Sequence, residues 1–153
     1  MIFPWQQKEW RQLCRAKESG RLPHALLFSG LAGIGKTQLA DYFSRLLLCQ
    51  QFQTEYDPKC QCHSCRLAEG RAHPNVLWIT PEKEGQAIKV DQIREVSDFI
   101  YQSARQGEYN IVVIHPANQM NVNAANALLK TLEEPPHGSL LILISQYFNR
   151  KLS

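Results

Sequence analysis

Continuous apolar runs alternate along this chain with stretches whose apolar residues recur every three or four positions. Over residues 5–18, Trp10, Leu13 and Cys14 give one short apolar face and predict a helix. Gly20 and Pro23 then mark a turn. HALLFSG, from His24, reads as a buried strand running into a glycine loop. From Lys36, KTQLADYFSRLLLC carries Leu39, Ala40, Phe43, Leu46 and Leu47 at helical spacing. The cysteine-rich stretch over residues 49–65 predicts irregular chain, then a short helix as far as Arg71. NVLWIT predicts a second strand and PEKEGQAIK a polar connection. Val90 to Gln106 predicts a helix with Ile93, Val96 and Ile100 on one side. IVVIH predicts a third strand. Asn121 or Asn123 can cap the helix through AANALLKTLEE, which Pro135-Pro136 ends, with Leu128, Leu129 and Leu132 assigned to the core. LLILIS predicts a fourth strand. Strands that are apolar throughout, separated by helices, imply a parallel sheet covered on both faces. The expected fold class is therefore α/β, in three layers, with a cysteine-bearing insert.

The 153 residues suit one domain with a sizeable core, and 44% hydrophobic and 20% charged residues are ordinary for a globular chain. The longest apolar runs fall far below the roughly 20 residues that span a bilayer. MIFPWQQKEW lacks a basic-then-apolar signal pattern, so a cytoplasmic location without membrane contact is expected. A net charge of +3, with Lys and Arg scattered, does not by itself argue for direct nucleic-acid binding. The five cysteines are an odd number without a secretion signal, which argues against a disulfide framework. Three of them fall within CQCHSC, residues 60–65, which is a metal signal.

Gly30-Leu31-Ala32-Gly33-Ile34-Gly35-Lys36-Thr37 matches G-x-x-x-x-G-K-[ST] in full, with a predicted strand before it and a predicted helix after it. Glycines let the backbone turn tightly, so that successive N–H groups face a phosphate at a helix start. Gly30, Gly33, Ile34, Gly35, Lys36 and Thr37 are thus the candidate nucleotide-binding residues. Lys36 would reach the β- and γ-phosphates of ATP, and the Thr37 hydroxyl would ligate Mg²⁺. The plainer alternative is a glycine turn that binds nothing. A cation at a helix start works against the helix dipole, which a plain turn gives no reason to tolerate.

Hydrolysing enzymes of this type end the third strand in an Asp that holds the Mg²⁺ shell, often followed by a Glu. Here the positions are His115 and Pro116, and neither supplies a carboxylate. Hard Mg²⁺ prefers oxygen ligands, so His115 reads as the plain end of a strand. The loop predicts ATP binding, while strand three predicts poor or absent hydrolysis and no catalytic residues.

NALLKTLEEPP, residues 126–136, is characteristic of the bacterial clamp-loader AAA+ subunits. With HALLFSGLAGIGKT, the cysteine insert and HPNVLWITPEK followed by IKVDQIREV, nearly every segment resembles the delta-prime branch of that family. The gamma and tau motor subunits differ, with an Arg-Pro-rich box before the loop and Asp-Glu where this chain has His115-Pro116. The resemblance implies an AAA+ P-loop fold and a largely rigid, non-motor place in a five-subunit ring with gamma/tau and delta. Such a ring loads the sliding clamp on primed DNA within the DNA polymerase III holoenzyme, a nucleotidyltransferase complex. The family's sheet order is 5-1-4-3-2. It continues past the fourth strand into a Ser-Arg-Cys motif that supplies an arginine finger, a last strand, a small helical lid and a collar domain. Residues 1–153 are expected to be an N-terminal AAA+ domain with four of the five strands, which leaves HALLFS on an open edge.

The resemblance also implies a structural Zn²⁺ on four cysteines, here Cys49, Cys60, Cys62 and Cys65, in an insert over residues 49–73. Cys62-x-x-Cys65 fits one C-x-x-C step, and Cys49 fits the distant first ligand. Cys60 is displaced, since this chain has C-x-C where the family has a second C-x-x-C, and His63 is the rival fourth ligand. Free thiols in a reducing cytosol are the alternative, and Cys14 reads as a core thiol. Glu133 and Glu134 sit at a helix C-terminus, where the dipole disfavours anions. With Lys130 they are read either as a subunit interface or as solvated charge. Two competing functions remain. An independent P-loop ATPase or kinase needs an acid near strand three. A zinc-dependent nucleic-acid-binding module needs a basic, aromatic surface around the cysteines.

Overall fold

The computed structural model describes residues 7–20, 22–31, 35–49, 62–69, 73–83, 85–101, 109–133 and 138–147. The described elements are α1 (Gln7–Glu18), β1 (Ala25–Leu31), α2 (Lys36–Leu48), α3 (His63–Glu69), β2 (Val76–Ile79), α4 (Val90–Tyr101), β3 (Asn110–Ile114), α5 (Val122–Glu133) and β4 (Ser139–Tyr147). A single 3-10 turn, Ala117–Gln119, lies between β3 and α5.

The four strands form one parallel sheet in the order β1-β4-β3-β2. This is the predicted order without the fifth strand. Alternation along β3 and β4 sends side chains to both faces, and each face is covered, as continuously apolar strands require. Ile111, Val113, Leu140, Ile142 and Ile144 pack with Trp10 and Leu13 of α1 and Leu39, Ala40, Phe43, Leu46 and Leu47 of α2. Val112, Ile114 and Leu141 pack on the other side with Ile93, Val96 and Ile100 of α4 and Ala124 and Leu128 of α5. Cys14 is half-buried against the first of these clusters. β4 is longer than LLILIS suggests. It pairs with β3 from Asn110↔Ser139 to Ile114↔Leu143 and with β1 from Ala25↔Leu141 to Leu31↔Tyr147, so that Leu141, Ile142 and Leu143 are flanked on both sides. Beyond Leu143, β1 alone among the described strands continues the pairing.

Four details differ from the sequence reading or decide between its options. α3 starts at His63, so Cys65 lies inside a helix that the expected irregular stretch had covered. Asn121, and not Asn123, caps α5: its side-chain oxygen accepts the Ala124 N–H at 2.8 Å. Leu128 is 3% exposed, but Leu129 is 60% exposed and is not core. Leu129 lies about 100° further round the helix than Leu128, off the stripe formed by Ala124, Leu128 and Thr131. Finally, the polar connection before α4 contains a fully buried residue, Ile88. It forms an isolated parallel bridge with Met120, in which the Ile88 N–H donates to the Gln119 carbonyl at 2.8 Å and the Asn121 N–H to the Ile88 carbonyl at 3.2 Å.

β1 pairs with β4 alone among the described strands. Leu27, on the same side of β1 as Ala25, is 64% exposed, beyond the cover of α4 and α5. No described helix is long and apolar enough to cross a membrane.

Candidate nucleotide and metal sites

Because all four strands run in parallel, their C-terminal ends share one rim of the sheet, where ligands of open α/β folds bind. β1 delivers Gly30 and Leu31 to that rim and α2 departs from it at Lys36. Gly33 and Ile34 lie outside the described residues. Gly35, the residue before α2, has φ 82° and ψ 19°, in the left-handed region that a Cβ disfavours. Its carbonyl accepts the Leu39 N–H at 3.0 Å, so the helix starts directly from this left-handed turn. Lys36 follows as the first helical residue and is only 6% exposed. Burial removes water from its ammonium group and lowers its pKa below the ordinary lysine value. Thr37 is half-buried beside it. A desolvated cation at the positive end of a helix is unfavourable in itself, and a bound anion would offset both costs.

β3 reaches the same rim two strands away from β1, about 10 Å across at the usual strand spacing. His115 follows it, its N–H donating to the Ile79 carbonyl of β2 at 2.9 Å. The peptide bond between His115 and Pro116 is cis. His115 is half-buried and Pro116 leads into the 3-10 turn, so neither residue places a carboxylate at this point.

The second candidate site joins the end of α2 to the start of α3. Cys49 stops α2 in an extended conformation, Cys62 immediately precedes α3, and Cys65 is buried within it. Their three sulfurs all lie within 4.8 Å of one another. The Cys49 and Cys62 sulfurs are 3.9 Å apart. Two thiolates at Zn–S distances of about 2.3 Å in a tetrahedron would be separated by about 3.8 Å. The Cys49–Cys62 spacing therefore fits two corners of a tetrahedral, thiolate-bound ion, and Cys65 lies near enough to offer a third ligand. The Cys65 N–H also donates to the Cys62 sulfur at 3.4 Å, a contact that favours a sulfur carrying negative charge. Cys60 lies outside the described residues. His63 is exposed at the start of α3 and is not part of the three-sulfur cluster.

The sequence reading missed a polar network at the opposite rim. The buried His73 accepts the Asn75 N–H on Nδ1 at 3.0 Å, while the Asn75 side chain donates to the Tyr109 carbonyl and the Asn110 side-chain oxygen, each at 3.3 Å. Asn75 and Asn110 flank the starts of β2 and β3, so the network aligns these strands. The available signal was the polar residue placed just before each apolar run.

The geometry defines a parallel α/β fold in which a helix starts from a left-handed glycine at the C-terminal rim of the sheet, together with a cluster of three cysteines. The model of the family described as DNA polymerase III, delta subunit, matches residues 5–153. DNA polymerase III subunit delta-prime of Pseudomonas aeruginosa is 43% identical over 152 residues, covering 99% of this chain and 45% of the relative. The delta-prime subunit of Escherichia coli K12 is 37% identical over 152 residues, with the same 99% and 45% coverage. A solved DNA polymerase III gamma subunit-related protein from Thermotoga maritima has a similar fold, with a TM-score of 0.60, 24% identity, and coverage of 88% of this chain and 39% of that one. The chain belongs to the DNA polymerase III delta-prime family and corresponds to its N-terminal portion. It spans less than half the length of these curated relatives.

Proposed function

We propose that this chain is the AAA+ domain of a non-motor clamp-loader subunit. In this reading it sits in a ring with gamma/tau and delta, and that ring places the sliding clamp on primed DNA. It binds ATP with Mg²⁺ and does not turn it over. Residues 1–153 act as the nucleotide-binding domain, with residues 49–73 a zinc-binding insert inside it. Family membership supports the ring. The observation that carries the nucleotide reading is the contrast between two ends of one rim: Gly35 and the buried Lys36 at the start of α2, against His115-Pro116 after β3.

The backbone N–H groups of Gly33, Ile34 and Gly35, with Gly30 allowing close approach, would hold the phosphates. Lys36 would balance their charge, and the Thr37 hydroxyl would bind Mg²⁺. His115-Pro116 would supply no carboxylate to hold the Mg²⁺ shell or polarise an attacking water, and His115 would be at most a weak proton acceptor. Cys49, Cys62 and Cys65, with Cys60 or His63 as the fourth ligand, would hold a structural zinc whose closed thiolate shell leaves no position for catalysis. Titration with a fluorescent ATP analogue, run beside a phosphate-release assay, tests the reading. Saturable, Mg²⁺-dependent binding without release above background is expected. Turnover on the order of 1 s⁻¹ that disappears in Lys36→Ala would overturn it.

A further inference from the structure

The spacing of the cysteine sulfurs supports a second chemistry besides metal binding. We infer that Cys49 and Cys62 form a reversible disulfide when the protein meets a peroxide, and that Cys65 remains a thiol. Their sulfurs stand 3.9 Å apart, so a bond of about 2.05 Å needs an approach of about 1.9 Å. Neither sulfur is held inside a helix. Cys49 lies just past α2 with an extended backbone (φ −61°, ψ 128°), and Cys62 lies just before α3. Both are half-buried, whereas Cys65 is 4% exposed within α3. A peroxide needs access to the sulfur it oxidises, so it reaches Cys49 and Cys62 before Cys65.

One of the two thiolates attacks one peroxide oxygen. The O–O bond breaks, leaving a sulfenic acid on that cysteine and releasing hydroxide. The other thiolate then attacks the sulfenic sulfur, forming the S–S bond as the S–O bond breaks and a second hydroxide leaves. The thiolate pair gives up two electrons, peroxide accepts them, and the hydroxides become water on protonation. A dithiol reductant reverses the change. The bridge pins the end of α2 to the start of α3, and it removes two metal-ligating thiolates at once. The inference rests on the spacing and exposure of the sulfurs and is independent of the clamp-loader reading.

The test uses the full chain, reduced and then divided into a metal-stripped and a zinc-loaded sample. Each receives a molar equivalent of hydrogen peroxide, and the remaining thiols are alkylated before digestion and mass spectrometry. The stripped sample should give the Cys49–Cys62 crosslinked peptide, with Cys14 and Cys65 alkylated. The loaded sample should release zinc to a colorimetric chelator in step with that crosslink, and dithiothreitol should restore the thiols. Cys65→Ser should still form the bridge, while Cys62→Ser should lose it by at least tenfold. Predominant pairing of Cys62 with Cys65, a bridge to Cys60, or oxidation without a crosslink would each overturn the inference. These outcomes are read in the unsubstituted chain, so they stand even if a variant folds poorly.

Discussion

Replacing Lys36 with Met keeps the length of the side chain and removes its charge. Lys36 as a whole is 6% exposed, and burial lowers the pKa of its ammonium group. Without nucleotide, Lys36→Met should therefore raise thermal stability near neutral pH. The wild-type fold there carries a desolvated charge that the variant lacks. The advantage depends on pH. Below the lowered folded pKa, lysine is protonated whether the chain is folded or unfolded, and the penalty is present in full. Above it the folded protein loses the proton while the unfolded chain, titrating near 10.5, still holds it. Wild-type stability then climbs with pH, and the gap to the variant closes as pH approaches the unfolded value.

With nucleotide present the sign reverses. A hydrogen bond to a charged group contributes about 1.5–3 kcal/mol. Losing it weakens binding about 10- to 150-fold. At a nucleotide concentration near 100 times the wild-type Kd, ligand stabilises the protein by about 2.7 kcal/mol. At roughly 2–4 °C per kcal/mol for a chain of this size, Tm should rise by about 5–10 °C. If the variant's Kd is 100-fold weaker, the same concentration adds about 0.4 kcal/mol, a rise of about 1–2 °C. Differential scanning fluorimetry across pH, with and without Mg²⁺-ATP, measures both effects. A variant that is less stable alone and keeps the full ligand-induced rise would refute the assignment of Lys36 as a phosphate ligand.

Two further pairs of substitutions test how α5 is seated. Asn121→Ala should cost about 1 kcal/mol in denaturant unfolding through loss of its 2.8 Å cap, while the neighbouring Asn123→Ala should be close to neutral; equal costs would contradict the cap. Leu128→Ala should cost about 2–5 kcal/mol, and Leu129→Ala should stay within about 0.5 kcal/mol because its side chain is largely in solvent; a reversed order would mean that α5 is rotated.

Periodicity located the four strands and the long helices because their stripes are regular: Ile93, Val96 and Ile100 all face the core as their spacing requires. It erred at Leu129, where a run of adjacent leucines was taken as one face although neighbours on a helix point about 100° apart. It could not find Ile88, since a lone apolar residue in PEKEGQAIK has no period. Its burial is decided by Met120, far along the chain. The G-x-x-x-x-G-K-T motif was legible because tight turns restrict the residues that can form them, and Gly35 has the left-handed conformation that explains its glycine. Sequence spacing suggested the cysteine cluster. The fact that Cys49 joins Cys62 and Cys65 depends on how α2 and α3 meet, which no local pattern records.

The bridge between Ile88 and Met120 changes what the two rim connections can do mechanically. One leads from β2 into α4 and the other from β3 into α5. Between them run two backbone hydrogen bonds, to the Gln119 carbonyl and from the Asn121 N–H. Further along the helices, the Ser97 and Thr131 hydroxyls meet at 2.7 Å. α4 and α5 are therefore linked at their starts and again along their lengths, as two rungs join the rails of a ladder. A load applied to the exposed side of α5, at Val122 or Leu129, is shared with α4. It also runs back through Met120 and the 3-10 turn to His115 at the tip of β3. The rim where α2 begins thus has a load path to the exposed side of α5, and the path crosses a connection whose sequence reads as a polar tether.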